Sequence, residues 1–235
     1  MLSLFPQLGS VLPLWLQTCT IILWLLLVIL AAWGASYFAS ANSEVIRKIV
    51  HIGTGNIVLI AWWLNIPAGV GMISAICACI VTLLSYKLPI IPGINSVGRQ
   101  SLGTFFYSAS IGILIAYFWP LHQPQYAVLG VMVMTWGDGF AAIIGRRFGK
   151  RKYKILGSEK SWEGSLAMYL ISWIVVSLML IIVEGNLWQI WMISVVVALI
   201  ATALESISFL GIDNLTVPLG TATIAFALTK MLMLL

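Results

Sequence analysis

Charge is scarce in this 235-residue sequence: Asp, Glu, Lys and Arg together make up 8% of it, where a soluble domain carries about 25%. That shortage excludes an ordinary soluble globule. Cysteine is sparse as well. Cys19, Cys77 and Cys79 lie within apolar segments, and Cys77 and Cys79, two positions apart, face different sides of a helix. They read as small buried hydrophobes, and neither a disulfide framework nor a zinc site is implied. The alternation of apolar and polar positions that marks a membrane β-barrel is missing, as are long linkers, low-complexity tracts and an attached soluble domain. No nucleic-acid reader motif accompanies the net charge of +5, so the basic excess is first a topology signal and no nucleic-acid partner is expected. No Lys or Arg precedes the first apolar run, which is too long for a signal-peptide core and is expected to remain as a helix.

What is abundant is apolar sequence, 61% of the chain with a mean hydropathy of +1.07. The runs have the length needed to cross a hydrocarbon core as helices. The expected fold is therefore all-α, a polytopic integral membrane helical bundle of about seven or eight transmembrane helices, with residues 1–235 forming one membrane-embedded domain. Helices are expected over residues 14–35, 49–64, 68–86, 102–119, 126–144, 164–183 and 187–206, with a last one running to the C-terminus. Residues 43–48 read as a polar hinge, 87–100 as a Pro- and Gly-containing loop, about 145–163 as a basic loop and 208–216 as a polar connection. Alternate connections carry Arg47 and Lys48, Lys87 and Arg99, then the basic loop with Lys160; those near Asn65, His122 and Gly185 carry no Lys or Arg. The positive-inside rule makes the first set cytoplasmic and puts both termini outside, with Lys230 the single exception.

Residues 135–165 hold three of the chain's seven carboxylates and seven of its twelve Lys and Arg residues. Six carboxylates (Glu44, Asp138, Glu159, Glu163, Glu205, Asp213) and His51 gather at the same face. A transporter would place such groups near the midplane; here a cytosolic nucleotide could meet a substrate lying in the bilayer. Asp138, at the inner end of a spanning helix, is a functional candidate by default, and it shares a face with Ala141, Ala142 and Gly145, whose smallness admits either a neighbouring helix or a phosphate. The segment from Gly145 to Lys150, GRRFGK, fails as a P-loop because three residues separate its glycines and Arg151 stands where Ser or Thr should bind magnesium. What remains is a basic loop between Gly145 and Gly149, in which Arg146, Arg147 and Lys150 could hold a polyphosphate. In SEKSWEG, Lys160 and Glu163 share a face if a helix begins near Ser158, with Ser158 or Ser161 as its cap; a helix start is an anion site and Glu163 could hold magnesium. Glu205, Asp213 and Asn214 form a third polar patch, the last two also readable as a turn. Arg47, Lys48 and His51 lie on one helix face leading to Gly55; His122, beside prolines, looks inert.

Four segments, RKIVHIGTG, WGDGFAAIIGRRFGKRKY, SEKSWEGS and ESISFLGIDNLTVPL, together and in this order resemble the phytol kinase branch of the polyprenol and dolichol kinase family, which is related to the membrane cytidylyltransferases. The resemblance implies a CTP-dependent kinase that phosphorylates an isoprenoid alcohol, with phytol favoured, releasing CDP. The segment from Asp138 to Glu163 is the one the resemblance associates with CTP. The residue reading, set beside it, puts Lys160, Arg146, Arg147 and Lys150 on the CTP phosphates and makes Asp138 and Glu163 the expected Mg2+ ligands. Glu205 or Asp213 would complete the metal site or orient the hydroxyl, and His51 with Arg47 would close the site. With no transit peptide visible, a cyanobacterial membrane with the motifs facing the cytoplasm is the expected setting. Two alternatives stand beside it: cytidylyl transfer to a lipid phosphate, against which the DNLTVP ending counts, and a small transporter.

Overall fold

The computed structural model describes residues 12–38, 43–86, 88, 102–156 and 158–233; the expected cytoplasmic charges Lys87 and Arg99 lie outside these. The helices run α1 (Leu14–Phe38), α2 (Ser43–Trp63), α3 (Ala68–Ser85), α4 (Gly103–Phe118), α5 (Pro124–Met132), a π-helical segment (Val133–Asp138) and α6 (Gly139–Phe148). A two-stranded antiparallel hairpin comes next, β1 (Lys152–Ile155) and β2 (Ser158–Ser161), and then α7 (Trp162–Glu184), α8 (Trp188–Ser206) and α9 (Asp213–Met233). Seven stretches are long and apolar enough to cross a membrane, one being the continuous α5–π–α6 stretch, and α4 is a shorter apolar helix. The chain is thus an all-α polytopic membrane bundle.

The α5–π–α6 helix is its spine. Its apolar residues run all round rather than along one stripe, the pattern of a helix enclosed on every side, and Tyr126 to Thr135 are all buried. α2, α4, α7 and α9 surround it. α1 stands outermost, with only Gln17, Val28 and Ala32 buried and Trp15, Leu23, Leu30 and Trp33 exposed, as a lipid-facing helix should be. The close fit depends on glycine. A Cβ at Gly130 would lie 2.3 Å from the Pro218 carbonyl oxygen, and one at Gly55 would lie 2.1 Å from Thr135 Oγ1 and 2.2 Å from the Tyr107 hydroxyl. Small residues are how membrane helices approach one another where no hydrophobic drive separates protein from lipid.

Three expected boundaries differ from the structure, each for a local reason. The polar hinge is helical: α2 begins at Ser43 because the Lys48 ammonium finds a carboxylate inside the bundle. The basic loop contains the hairpin, whose register pairs Lys152 with Ser161, Tyr153 with Lys160, Lys154 with Glu159 and Ile155 with Ser158. Consequently Lys160 and Glu163 do not share a helix face; Ser161 is the cap of α7, accepting from the Gly164 amide at 3.1 Å. The last helix starts at Asp213 and carries Pro218 within it; the bond the proline cannot donate falls near the helix start, on the carbonyl four residues back.

The glycine contacts set a stability test. Gly130→Ala is expected to destabilise the protein by about 1–3 kcal/mol through overpacking against backbone, lowering the melting midpoint in detergent. Gly69→Ala, where an added Cβ meets nothing within 4 Å, is expected to leave it unchanged.

Candidate active site

The site is built around one buried ion pair. Lys48 of α2 and Asp138 at the end of the π-helical segment are 4% and 9% exposed, and the ammonium donates to Asp138 Oδ2. The π turn widens the helix by one residue per turn relative to an α-helix and so re-aims the side chains beyond it, which is why such segments recur at functional sites; here it points Asp138 at α2. His51, one turn after Lys48, brings Nε2 to 3.7 Å from the same carboxylate oxygen, and that nitrogen is buried without a hydrogen-bond partner. The imidazole is held against the Tyr107 ring, centroids 4.4 Å apart. The Tyr107 hydroxyl joins Thr135 Oγ1 at 2.7 Å, and Trp136 Nε1 donates to Asn56 Oδ1 at 3.3 Å, so α4, the spine and α2 are cross-braced at this level.

A second buried pair comes from the hairpin. Directly opposed residues of an antiparallel pair point to the same side, so Tyr153 and Lys160 face inward together while Lys152, Lys154 and Glu159 face out. Outside, Glu159 sits 2.7 Å from Lys152 and 3.9 Å from Lys154, and the bond from Lys152 holds its carboxyl below the usual range. Inside, Lys160 donates to Glu205 at the end of α8, Ser158 Oγ donates to the Ser208 carbonyl at 2.9 Å, and Tyr153 shares a 2.5 Å hydrogen bond with Ser165. Burial works against the Lys160 ammonium, but Glu205, Asp213 and Asp138 outweigh it and hold its pKa above the usual lysine value.

Asp213 opens α9 with its carboxylate turned to Asn214: Oδ1 accepts from the Asn214 amide at 3.0 Å and from Nδ2 at 3.1 Å. Among the described residues it has no ion-pair partner within 4.0 Å, yet it lies in electrostatic reach of Asp138, Lys160 and Lys48. Lys48, His51, Asp138, Lys160, Glu205, Asp213 and Asn214, drawn from five separate elements, therefore meet in one place. Arg47 borders them, pairing with Glu44 at 2.5 Å while acting on Asp138 and Asp213.

Other sequence candidates stand elsewhere. Glu163 accepts from the Arg151 amide at 3.3 Å, and since Gly164 packs beside Gly145, seven residues along α6 from Asp138, the two carboxylates are separated by roughly 10 Å of helix axis. Gly145 and Gly149 are taken up by packing: a Cβ at Gly149 would lie 2.1 Å from the Gly145 oxygen and 2.8 Å from Ser161 Oγ. Arg146 reaches Glu44 at 3.5 Å, and the Arg147 guanidinium lies over the Phe148 ring. Sequence reasoning passed over Tyr107, Thr135, Tyr153 and Ser165; only Tyr153 left a signal, in the alternation of KYKI with SEKS. Among the described residues, no three His, Cys, Asp or Glu side chains converge as a ready metal cage.

Fold and site together define a polytopic membrane protein with a buried, charge-paired centre beside its hairpin. Its relatives give the family. The chain is 47% identical over 216 residues to phytol kinase of Synechocystis sp., covering 92% of this chain and 93% of that protein. It is 30% identical over 202 residues to a probable chloroplastic phytol kinase of Triticum aestivum, covering 77% and 66%, and 29% identical over 142 residues to chloroplastic farnesol kinase of Arabidopsis thaliana, covering 54% and 44%. The chain belongs to the phytol kinase family, and it spans just under two thirds of the wheat relative's length. No family model matches it, and no solved structure does.

The central pair makes a prediction of its own. Lys48→Met leaves Asp138 buried without its cation and is expected to cost about 3–5 kcal/mol, read as a lowered midpoint of unfolding in detergent; adding Asp138→Asn is expected to recover a large part of that loss.

Proposed function

We propose that this protein transfers the γ-phosphoryl group of CTP to an isoprenoid alcohol, phytol being favoured, at the cytoplasmic face of a cyanobacterial membrane. The observation that carries this is the meeting of Lys48, Asp138, Lys160 and Asp213 beside the hairpin, in a chain 47% identical to a phytol kinase over 216 residues, nearly the whole of both. In the reaction the alcohol oxygen bonds to the γ-phosphorus, the bond from that phosphorus to the β,γ-bridging oxygen breaks, CDP leaves, and the hydroxyl proton passes to solvent. Such transfers depend on positioning and charge neutralisation.

Lys160 and Lys48 supply the cations. Lys160 stands at the cytosolic side, on the hairpin, and takes the nucleotide phosphates, with Lys150 at the base of the same hairpin. Mg2+ fits the donors present, for it is usually bound by one or two carboxylates together with substrate phosphates rather than by an all-protein cage. Asp138, whose Oδ1 is left over once Oδ2 meets Lys48 and His51, and Asp213 would hold it. When bound, the ion neutralises charge on the transferring group. His51 Nε2, a buried acceptor lacking a partner, is placed to meet the alcohol hydroxyl, and Glu205 keeps Lys160 oriented.

Purified protein incubated with a panel of alcohols and the four nucleoside triphosphates is expected to yield phytyl phosphate and CDP by mass spectrometry; pyrophosphate instead of CDP would mean cytidylyl transfer. Asp138→Asn and Lys160→Ala are each expected to lower kcat by roughly 100-fold or more, the scale of losing one preorganised electrostatic group, and wild-type rates in both would overturn the assignment.

A further inference from the structure

Asp138 has two flanks, and they differ in chemistry. On one lie Lys160, Glu205 and Asp213, presented by the hairpin and the cytosolic ends of α8 and α9. On the other is a cleft of about 420 Å³ between α2 and α6, lined by Glu44, Val45, Lys48, Ala142, Ile143, Arg146 and Arg147. Helical geometry separates the two. At 3.6 residues per turn Ala141 and Gly145 point to α7, while Ala142, Ile143 and Arg146 are turned away from that face, in agreement with the packing of Gly145 on Gly164 and the reach of Arg146 to Glu44.

The cleft is half apolar and half basic. Val45, Ala142 and Ile143 belong to stretches apolar enough to lie in the membrane. The single carboxylate of the lining, Glu44, is already engaged by Arg47 at 2.5 Å and by Arg146 at 3.5 Å, so Arg147 stands in excess, with Arg146 across the mouth and Lys48, held by Asp138, at the floor. A nucleotide offers no tail for the apolar wall, and a simple anion would use only the basic one. An amphiphile with an apolar chain and a head that becomes anionic matches both.

We infer that the α2–α6 cleft is the seat of the isoprenoid acceptor, entered from the bilayer. Val45, Ala142 and Ile143 flank the first part of its chain, and Arg146 and Arg147 receive the phosphate it acquires, with Lys48 at the floor. The inference rests on the kinase function proposed above. It moves Arg146 and Arg147 from the nucleotide to the lipid product, and it separates the two substrates to opposite sides of Asp138.

The test is photolabelling of the full-length wild-type protein in nanodiscs with a diazirine analogue of phytol, read by peptide mapping. Label on the α2 and α6 segments around Val45 and Ile143, displaced by excess phytol or phytyl phosphate, is expected. Label confined to the hairpin or to α8 and α9, or label displaced equally by phosphatidylglycerol, overturns the inference. Kinetics give a second readout. Ile143→Trp and the exposed Arg146→Gln are each expected to raise the KM for the alcohol by about tenfold, roughly the effect of one interaction of ordinary strength, while the KM for CTP stays within about twofold. A raised CTP KM with an unchanged alcohol KM assigns the cleft to the nucleotide and refutes it, as does no change in either. Should Ile143→Trp fail to fold, Arg146→Gln and the wild-type labelling still decide. If the wild type phosphorylates no alcohol the kinase function falls, whereas labelling of the cleft by the phytol analogue, or its failure, is scored independently.

Discussion

Everything at the hairpin end of this bundle is arranged around the ion pair of Lys48 and Asp138. Two opposite charges taken into a low-dielectric interior cost several kcal/mol each in lost hydration, recovered only when the geometry is close and the neighbouring polar groups are satisfied. The structure meets that requirement from three directions. The π-helical turn aims Asp138 at α2. Gly55 lets α2 approach the spine closely enough for Lys48 to reach. The Tyr107–Thr135 and Trp136–Asn56 hydrogen bonds fix the spacing on either side. Lose any of these and the pair becomes a liability, which is why local backbone irregularity and a tight glycine contact are found at the same level of the bundle.

The second lysine reaches the centre by a different route. A helix would have set Lys160 only about 80° round its axis from Lys152, eight positions back, and could not have sent the two to opposite sides. A strand pair can, because alternate residues point to opposite sides. The hairpin thus sorts a basic stretch into an outer layer that pairs with Glu159 and one inner cation that pairs with Glu205. Together the two lysines face three carboxylates, and Asp213 alone of the three has no cation within 4.0 Å among the described residues.

Much of this was legible in advance. Length and hydropathy placed most of the helices to within a few residues, the starts of α2 and α9 excepted, and the sparse charges were already segregated to one side, so that Asp138, Lys48, His51, Lys160, Glu205 and Asp213 could be named from the sequence. Family resemblance added order to the same segments, and the relatives bear it out. What stayed hidden was pairing. Nothing in the sequence tells Lys48 from Arg47, its neighbour one position away; the first is buried on Asp138 and the second is bound to Glu44. Glu163 looked like a partner of Asp138 because a helix starting near Ser158 would have set it on one face with Lys160, and once Ser158 to Ser161 form a strand the carboxylate is carried to the far end of α6. The glycines at 145 and 149 looked like a phosphate loop and are instead the hollow into which Ser161 and Gly164 fit. In each case local pattern was correct about residue type and silent about which neighbour tertiary packing would supply.

On the proposed function, the depth of the centre is set by the substrates it must join. A nucleotide cannot leave water without losing the hydration of several charges, and an isoprenoid chain cannot leave the bilayer without exposing its apolar surface. The reacting atoms can therefore meet only where water and the apolar helices adjoin. Lys48 lies four residues inside the stretch Glu44–Trp63, and Asp138 lies ten residues from the hairpin end of the stretch Pro124–Phe148. Placing the pair deeper would force phosphates into hydrocarbon, and placing it in a soluble loop would dilute every electrostatic contact with water. The buried pair is thus the compromise between two solvents, with the hairpin serving the aqueous side and the α2–α6 cleft the apolar one.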